Sequence, residues 1–203
     1  MIVLKNRSWT VGCAMLLVVI MVSTAGGDSW VQNPANGHYY LPVTFAPGQN
    51  ALSWTNSRAE AQTLIAPGGL SVDLVTIISQ AEANWLSTTF ADLDHYWFGG
   101  YQNPHYAYEL EDPAANWHWV TGEPWAYTNW DPAWPEPNNM GDEWCLAGWT
   151  TDGKWNDWKN DPLAETGEAP AVGYIAESTA IPLPTALPGG VALAFGCLLA
   201  RRR

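Results

Sequence analysis

Basic residues are scarce in this chain. Of its 203 residues only eight are lysine or arginine, against twenty aspartates and glutamates. Five of the eight (Lys5, Arg7, Arg201, Arg202 and Arg203) sit at the two ends. Residues 28–177 therefore hold all twenty acids and three bases, a formal charge of −17. A protein that tracks phosphates needs the opposite sign, so nucleic acid is excluded as a partner. Cysteine is scarce as well: with Cys13 and Cys197 in the terminal segments, Cys145 stands alone in the middle and no internal disulfide can form there. Catalytic signatures are missing too. There is no glycine-rich phosphate loop and no nucleophile elbow. The four histidines (His38, His95, His105 and His118) have no metal-motif spacing and are read as ordinary. Nothing singles out a carboxylate pair for glycoside hydrolysis. No catalytic residue is assigned, and the chain is not read as an enzyme.

The ends are read as addresses. Lys5 and Arg7 precede an apolar run from Val11 to Val22, which is short for a bilayer span, and small residues follow at Ser23-Thr24-Ala25. That order predicts a secretory signal over residues 1–27, with a single N-terminal anchor as the alternative. At the other end, Ile181-Pro182-Leu183-Pro184 is followed by an apolar run from Ala186 to Ala200 and then three arginines. A helix of that run reaches about 22 Å, against about 30 Å of hydrocarbon. Proline motif, short apolar helix and terminal arginines resemble the PEP-CTERM sorting tails of Gram-negative bacteria. The resemblance implies processing of residues 179–203 by an exosortase-type enzyme, a tail anchor being the alternative. Either way, residues 28–178 are expected outside the cytoplasm, secreted or in the cell envelope. Export would permit disulfides, but this segment does without them.

That segment predicts an α+β domain. Gly37–Leu41 reads as a strand. Ala51–Ile65 reads as a helix with Ser53 as N-cap, stopped by Pro67-Gly68-Gly69. Leu74–Ile78 is a buried-strand run. Ser79-Gln80-Ala81-Glu82 is a capping box opening a second short helix, with Glu82 reaching back. Tyr96–Gly100 is another strand, and Ala171–Ala176 a closing one. Between them lies a region of different texture. Nine of the fourteen tryptophans fall between Trp117 and Trp158, mixed with proline, asparagine, glycine and aspartate. Such composition suits strands and long loops rather than helix.

Two stretches inside that region concentrate oxygen ligands: Glu136-Pro137-Asn138-Asn139-Met140-Gly141-Asp142-Glu143 and Asp152-Gly153-Lys154-Trp155-Asn156-Asp157. Ca²⁺ takes six to eight oxygens from carboxylates, amides and carbonyls. Glu136 and Asn138, two residues apart, point to one side of an extended chain. Pro137 stiffens the loop between them.

In order along residues 36–177, the sequence resembles the C-type lectin family. Asn36-Gly37-His38-Tyr39-Tyr40 resembles its opening strand, and Ser53-Trp54 begins what looks like its first helix. Leu74–Ser79 through Glu82 and Trp85-Leu86 resembles the strand leading into the second helix. Trp97-Phe98-Gly99-Gly100 stands where the family has Trp-Ile-Gly. Trp119-Val120-Thr121-Gly122-Glu123-Pro124 and Tyr127-Thr128-Asn129-Trp130 precede the long loop. Glu136-Pro137-Asn138 and Trp155-Asn156-Asp157 match the family's two signature triplets. The resemblance implies a C-type lectin-like fold: two helices, small antiparallel sheets and a long Ca²⁺-binding loop. It also implies that Glu136, Asn138, Glu143, Asn156 and Asp157 bind both Ca²⁺ and carbohydrate, with Asp142 as the substitute for Glu143. The Glu-Pro-Asn order resembles members that take equatorial vicinal hydroxyls, as in mannose, glucose or fucose.

The departures are also specific. Alanine stands near both positions of one family disulfide, at Ala61 and Ala176, which implies an apolar contact in its place. The second family disulfide would join Cys145 to a position near Asn160, so Cys145 is expected to be a buried free thiol. Trp97, Trp119 and Trp155 are core candidates. Trp125, Trp130, Trp134 and Trp144 are open between core and sugar-stacking roles. The leading expectation is Ca²⁺-dependent carbohydrate binding at a bacterial surface or in exopolysaccharide. The alternative is a structural or protein-binding domain of the same fold, in which Ca²⁺ only orders the long loop.

Overall fold

The structure, a computed structural model, describes residues 29–46, 50–102, 112–161 and 170–178. The expected signal and sorting tail, and His105, lie outside the described residues. Among the described residues eight strands form one sheet: β1 (Val31–Gln32), β2 (Tyr39–Thr44), β3 (Val72–Leu74), β4 (Tyr96–Gln102), β5 (Trp117–Trp119), β6 (Glu143–Gly148), β7 (Trp155–Lys159) and β8 (Gly173–Ser178). Two helices accompany them, α1 (Trp54–Ala61) and α2 (Gln80–Phe90). The sheet order is β1-β2-β8-β4-β6-β7, with β3 on β8 and β5 on β4. All pairings are antiparallel except β4 with β8. Among the described residues no helix is long and apolar enough to cross a membrane.

Side chains alternate across a strand, and here both faces are buried. One face carries Leu41, Trp97, Cys145, Ala147, Trp158, Tyr174 and Ala176, and α1 packs Trp54 and Ala61 against it. The other carries Tyr40, Phe98, Leu146, Trp155 and Ile175, and meets Ala83 and Leu86 of α2. Ala61 and Ala176 are fully buried in the same cluster, so apolar packing occupies the place the resemblance gave to a disulfide. Cys145 is a buried free thiol, as expected, and burial holds its ionisation far above the ordinary range. Asn160 instead accepts the backbone N–H of Thr55 at 2.9 Å, fastening the start of α1.

Local signals set most element ends, with corrections. Ser53 caps α1 through the Asn56 N–H, but α1 stops at Ala61 rather than Ile65. Gln62 N–H donates back to the Arg58 carbonyl and Thr63 N–H to the Glu60 carbonyl, which ends the helix before the Pro67-Gly68-Gly69 turn. Ser79 caps α2 through the Glu82 N–H at 3.2 Å. The Glu82 carboxylate reaches back to the N–H of Ile78 rather than to that of Ser79, because its other oxygen is held by the Tyr40 hydroxyl at 2.6 Å. The closing strand runs from Gly173 to Ser178, two residues later than expected, and the strand expected over Leu74–Ile78 is β3 at Val72–Leu74, with Val75 to Ile78 outside any strand.

A candidate cation and carbohydrate site on the long loop

Trp155 anchors the loop that carries the site. It is fully buried and meets the rings of Trp119, Trp125, Tyr127 and Trp130 at centroid distances of 5.5–5.6 Å. Backbone bonds reinforce the rings: Trp155 N–H donates to Asn129, and Asp131 N–H donates to Trp155, both at 2.9 Å. The Asn129 amide reaches the Gly153 carbonyl, and the Lys154 ammonium reaches the Asn129 side chain at 2.7 Å. Of the four tryptophans left open by the sequence, Trp125 and Trp130 thus serve the core, and Trp144 packs edge-on against Trp54. Trp134 remains exposed.

The five sequence-predicted residues come from two segments that meet. Glu136 and Asn138 lie on the loop, where the Glu136–Pro137 peptide is cis. Glu143 opens β6, and Asn156 and Asp157 lie on its partner β7. Asp157 is fully buried and joins the two segments. Its carboxylate accepts the backbone N–H of Asn138 at 3.0 Å and of Asn139 at 2.7 Å. Asn139 and Gly141 follow with positive φ, which turns the chain back toward Glu143.

These carboxylates crowd one another. Burial, then the neighbouring Asp157 and Glu143, push the Glu136 carboxyl up to about 8, opposed by a hydrogen bond from Asn138. Glu136 Oε2 and Asn156 Oδ1 are buried and have no hydrogen-bond partner. Buried acceptors without donors are costly and call for a water or an ion as partner. A hard cation fits this donor set, because it supplies positive charge to crowded carboxylates and a partner to both orphaned oxygens.

Two features temper that fit. Among the described residues no three His, Cys, Asp or Glu side chains stand grouped as a metal cage. The predicted set depends on amides as well, and its Asp157 is turned to the loop backbone. Asn138 Oδ1 also accepts the Met140 N–H at 2.8 Å. Asp142, the substitute ligand, is exposed, whereas Glu143 is half-buried beside Glu136. The sequence missed the tether from Asp157 to the loop backbone. Backbone donors leave no mark on residue identity.

No family model matches the sequence, and no curated protein matches it. Solved structures do. The cow C-type carbohydrate-recognition domain of CD23, solved in the presence of a GlcNAc2Man3 oligosaccharide, is 22% identical with a TM-score of 0.52, over 75% of this chain and 94% of that one. The C-type lectin CEL-I from Cucumaria echinata is 20% identical with a TM-score of 0.52, over 74% and 94%. A calcium-independent type II antifreeze protein is 21% identical with a TM-score of 0.51, over 80% and 98%. The chain, α+β with two helices and a mainly antiparallel sheet, has the C-type lectin-like fold.

Proposed function

We propose that this protein is a Ca²⁺-dependent carbohydrate-binding module. The observation that carries the reading is the meeting of Glu136 and Asn138 with Asn156 and Asp157, where two buried oxygens, Glu136 Oε2 and Asn156 Oδ1, lack any donor. Glu136, Asn138, Glu143, Asn156 and Asp157 would hold the cation. Bound Ca²⁺ supplies positive charge and open coordination positions for two vicinal hydroxyls of a sugar. The carboxylates accept the hydroxyl protons and the Asn amides donate to the hydroxyl oxygens, so ion and ligand share residues. Glu136-Pro137-Asn138 supports equatorial hydroxyl pairs, as in mannose, glucose or fucose.

Asp157 and Trp155 fasten the loop that carries Glu136 and Asn138. The alternative, a structural or protein-binding domain of the same fold, is the one that the likeness to a calcium-independent antifreeze protein favours. Residues 1–27 and 179–203 support export and surface display in a Gram-negative-type bacterium, with exopolysaccharide or a cell-surface glycan as partner. Titrating the protein with methyl α-mannoside in a calorimeter, with Ca²⁺ and then with chelator, tests the reading. Heat that appears only with Ca²⁺, and is lost in Glu136→Gln, is expected. A protein that binds its partner undiminished in that variant belongs to the alternative.

A further inference from the structure

Trp134 departs from the other tryptophans. Every other one among the described residues is buried or half-buried, but Trp134 is 66% exposed. A single exposed apolar residue needs no explanation, but the setting of this one is specific. The other most exposed apolar residue of the loop is Met140, at 70%. Trp134 and Met140 thus bracket the Glu136-Pro137-Asn138 triplet. The backbone beneath the ring is fixed at both sides. Glu136 N–H donates to the Trp134 carbonyl at 2.6 Å, Ala133 N–H to Asp131 Oδ1 at 2.9 Å, and Asp131 N–H to Trp155 at 2.9 Å. Trp134 therefore sits on a fastened bridge between the two segments that hold the candidate ligands.

We propose that Trp134 is the stacking platform for a saccharide residue linked to the one held at the cation site, so that the site takes a chain rather than a single sugar. The inference rests on the carbohydrate reading above. An aromatic face in contact with the C–H face of a pyranose buries apolar area with little loss of side-chain freedom. Trp134 is not one of the oxygen ligands and stands two residues before Glu136, so its exposed ring is free for the sugar next to the one they hold. The surroundings choose this occupant. Asp142 is exposed and Glu136 and Glu143 are half-buried on this loop, which disfavours an anionic membrane or an acidic protein. A neutral glycan meets no such repulsion. The fold does not use the ring: Trp125 and Trp130 do the packing on Trp155.

The test uses the purified chain in Ca²⁺, with mannotriose and methyl α-mannoside as probes. Trp134→Ala is expected to weaken mannotriose binding about three- to tenfold, the range of one aromatic contact, and to leave methyl α-mannoside within twofold. Trp134→Phe keeps most of the mannotriose affinity. Mannotriose, unlike the single sugar, shields the wild-type protein from acrylamide quenching. Unchanged mannotriose affinity in Trp134→Ala, or an equal loss for both probes, overturns the proposal and leaves the carbohydrate reading intact. A wild-type protein that responds to Ca²⁺ but binds neither probe overturns the carbohydrate reading itself. A wild-type dimer that Trp134→Ala makes monomeric assigns the ring to a second copy and overturns the proposal.

Discussion

The buried carboxylate of Asp157 accepts the backbone N–H of Asn138 at 3.0 Å, across a separation of nineteen residues. The neighbouring Asn139 N–H bonds the second oxygen at 2.7 Å. One side chain of β7 thus sets the position of the loop that carries Glu136 and Asn138. Asp157→Asn removes the charge and turns one acceptor into a donor, which faces an N–H it cannot satisfy. The cost expected is about 2 kcal/mol, the scale of a buried charge-assisted hydrogen bond. Amide hydrogen exchange at Asn138 and Asn139 checks it. Both amides are slow in the wild type without metal, and one becomes fast in the variant.

Glu136 carries the opposite kind of energy. Burial and two neighbouring carboxylates disfavour its charge in the absence of a cation. Glu136→Gln is therefore expected to leave the chelated protein as stable as the wild type or more so. The same change removes most of the rise in Tm that Ca²⁺ gives the wild type. Thermal melts in chelator and in Ca²⁺ read both effects, and the pattern is that of a site held in strain for function. A Glu136→Gln protein that melts well below the wild type in chelator would show that the carboxylate is structural.

A second buried carboxylate is matched to a proton. Glu177 on β8 bonds His38 Nδ1 at 2.6 Å and the Thr76 N–H at 2.7 Å. Burial raises the Glu177 carboxyl to about 7, and the Glu177 partner raises His38. Glu82 and Glu123 add negative potential around the pair. Both groups bind protons more tightly folded than unfolded. Their contribution is therefore complete below pH of about 4.5 for Glu177 and 6.5 for His38, and is lost as pH rises through the folded values. Stability is expected to fall as pH rises from about 4.5 to about 7, where Glu177 loses its proton, and to go on falling above that as His38 loses its own. Denaturant midpoints in saturating Ca²⁺ measure the slope, and Glu177→Gln flattens it.

Close approach of backbone segments gives a test of the fold. A Cβ on Gly148, at the end of β6, would collide with the Leu93 carbonyl oxygen and stand 3.0 Å from the Phe98 ring. Neither is the free end of a flexible side chain. Gly148→Ala is expected to cost about 2–3 kcal/mol through overpacking, measured as a lower urea midpoint with an unchanged slope.

Features set by neighbouring residues were legible in the sequence. Ser53 and Ser79 cap their helices because a cap needs only an N–H three residues on. The two triplets were legible because each keeps its oxygens within three residues. Trp97, Trp119 and Trp155, the core candidates, are buried. Features set by distant contacts were not legible. His38, read as ordinary, meets a carboxylate 139 residues away. Glu82 looked like half of a capping box, but its second oxygen belongs to Tyr40 on β2. Which tryptophan stays in solvent is decided by how the loop folds over Trp155, and four candidates of one chemistry gave no means of choosing Trp134.

The central claim is that Glu136, Asn138, Glu143, Asn156 and Asp157 hold a cation and a sugar together. Passing the purified protein over mannose and galactose resins in Ca²⁺, followed by chelator, tests it most directly. The account predicts retention on mannose, release by chelator, and weaker hold on galactose. Absence from both resins, with no change in tryptophan fluorescence on adding Ca²⁺, would contradict it.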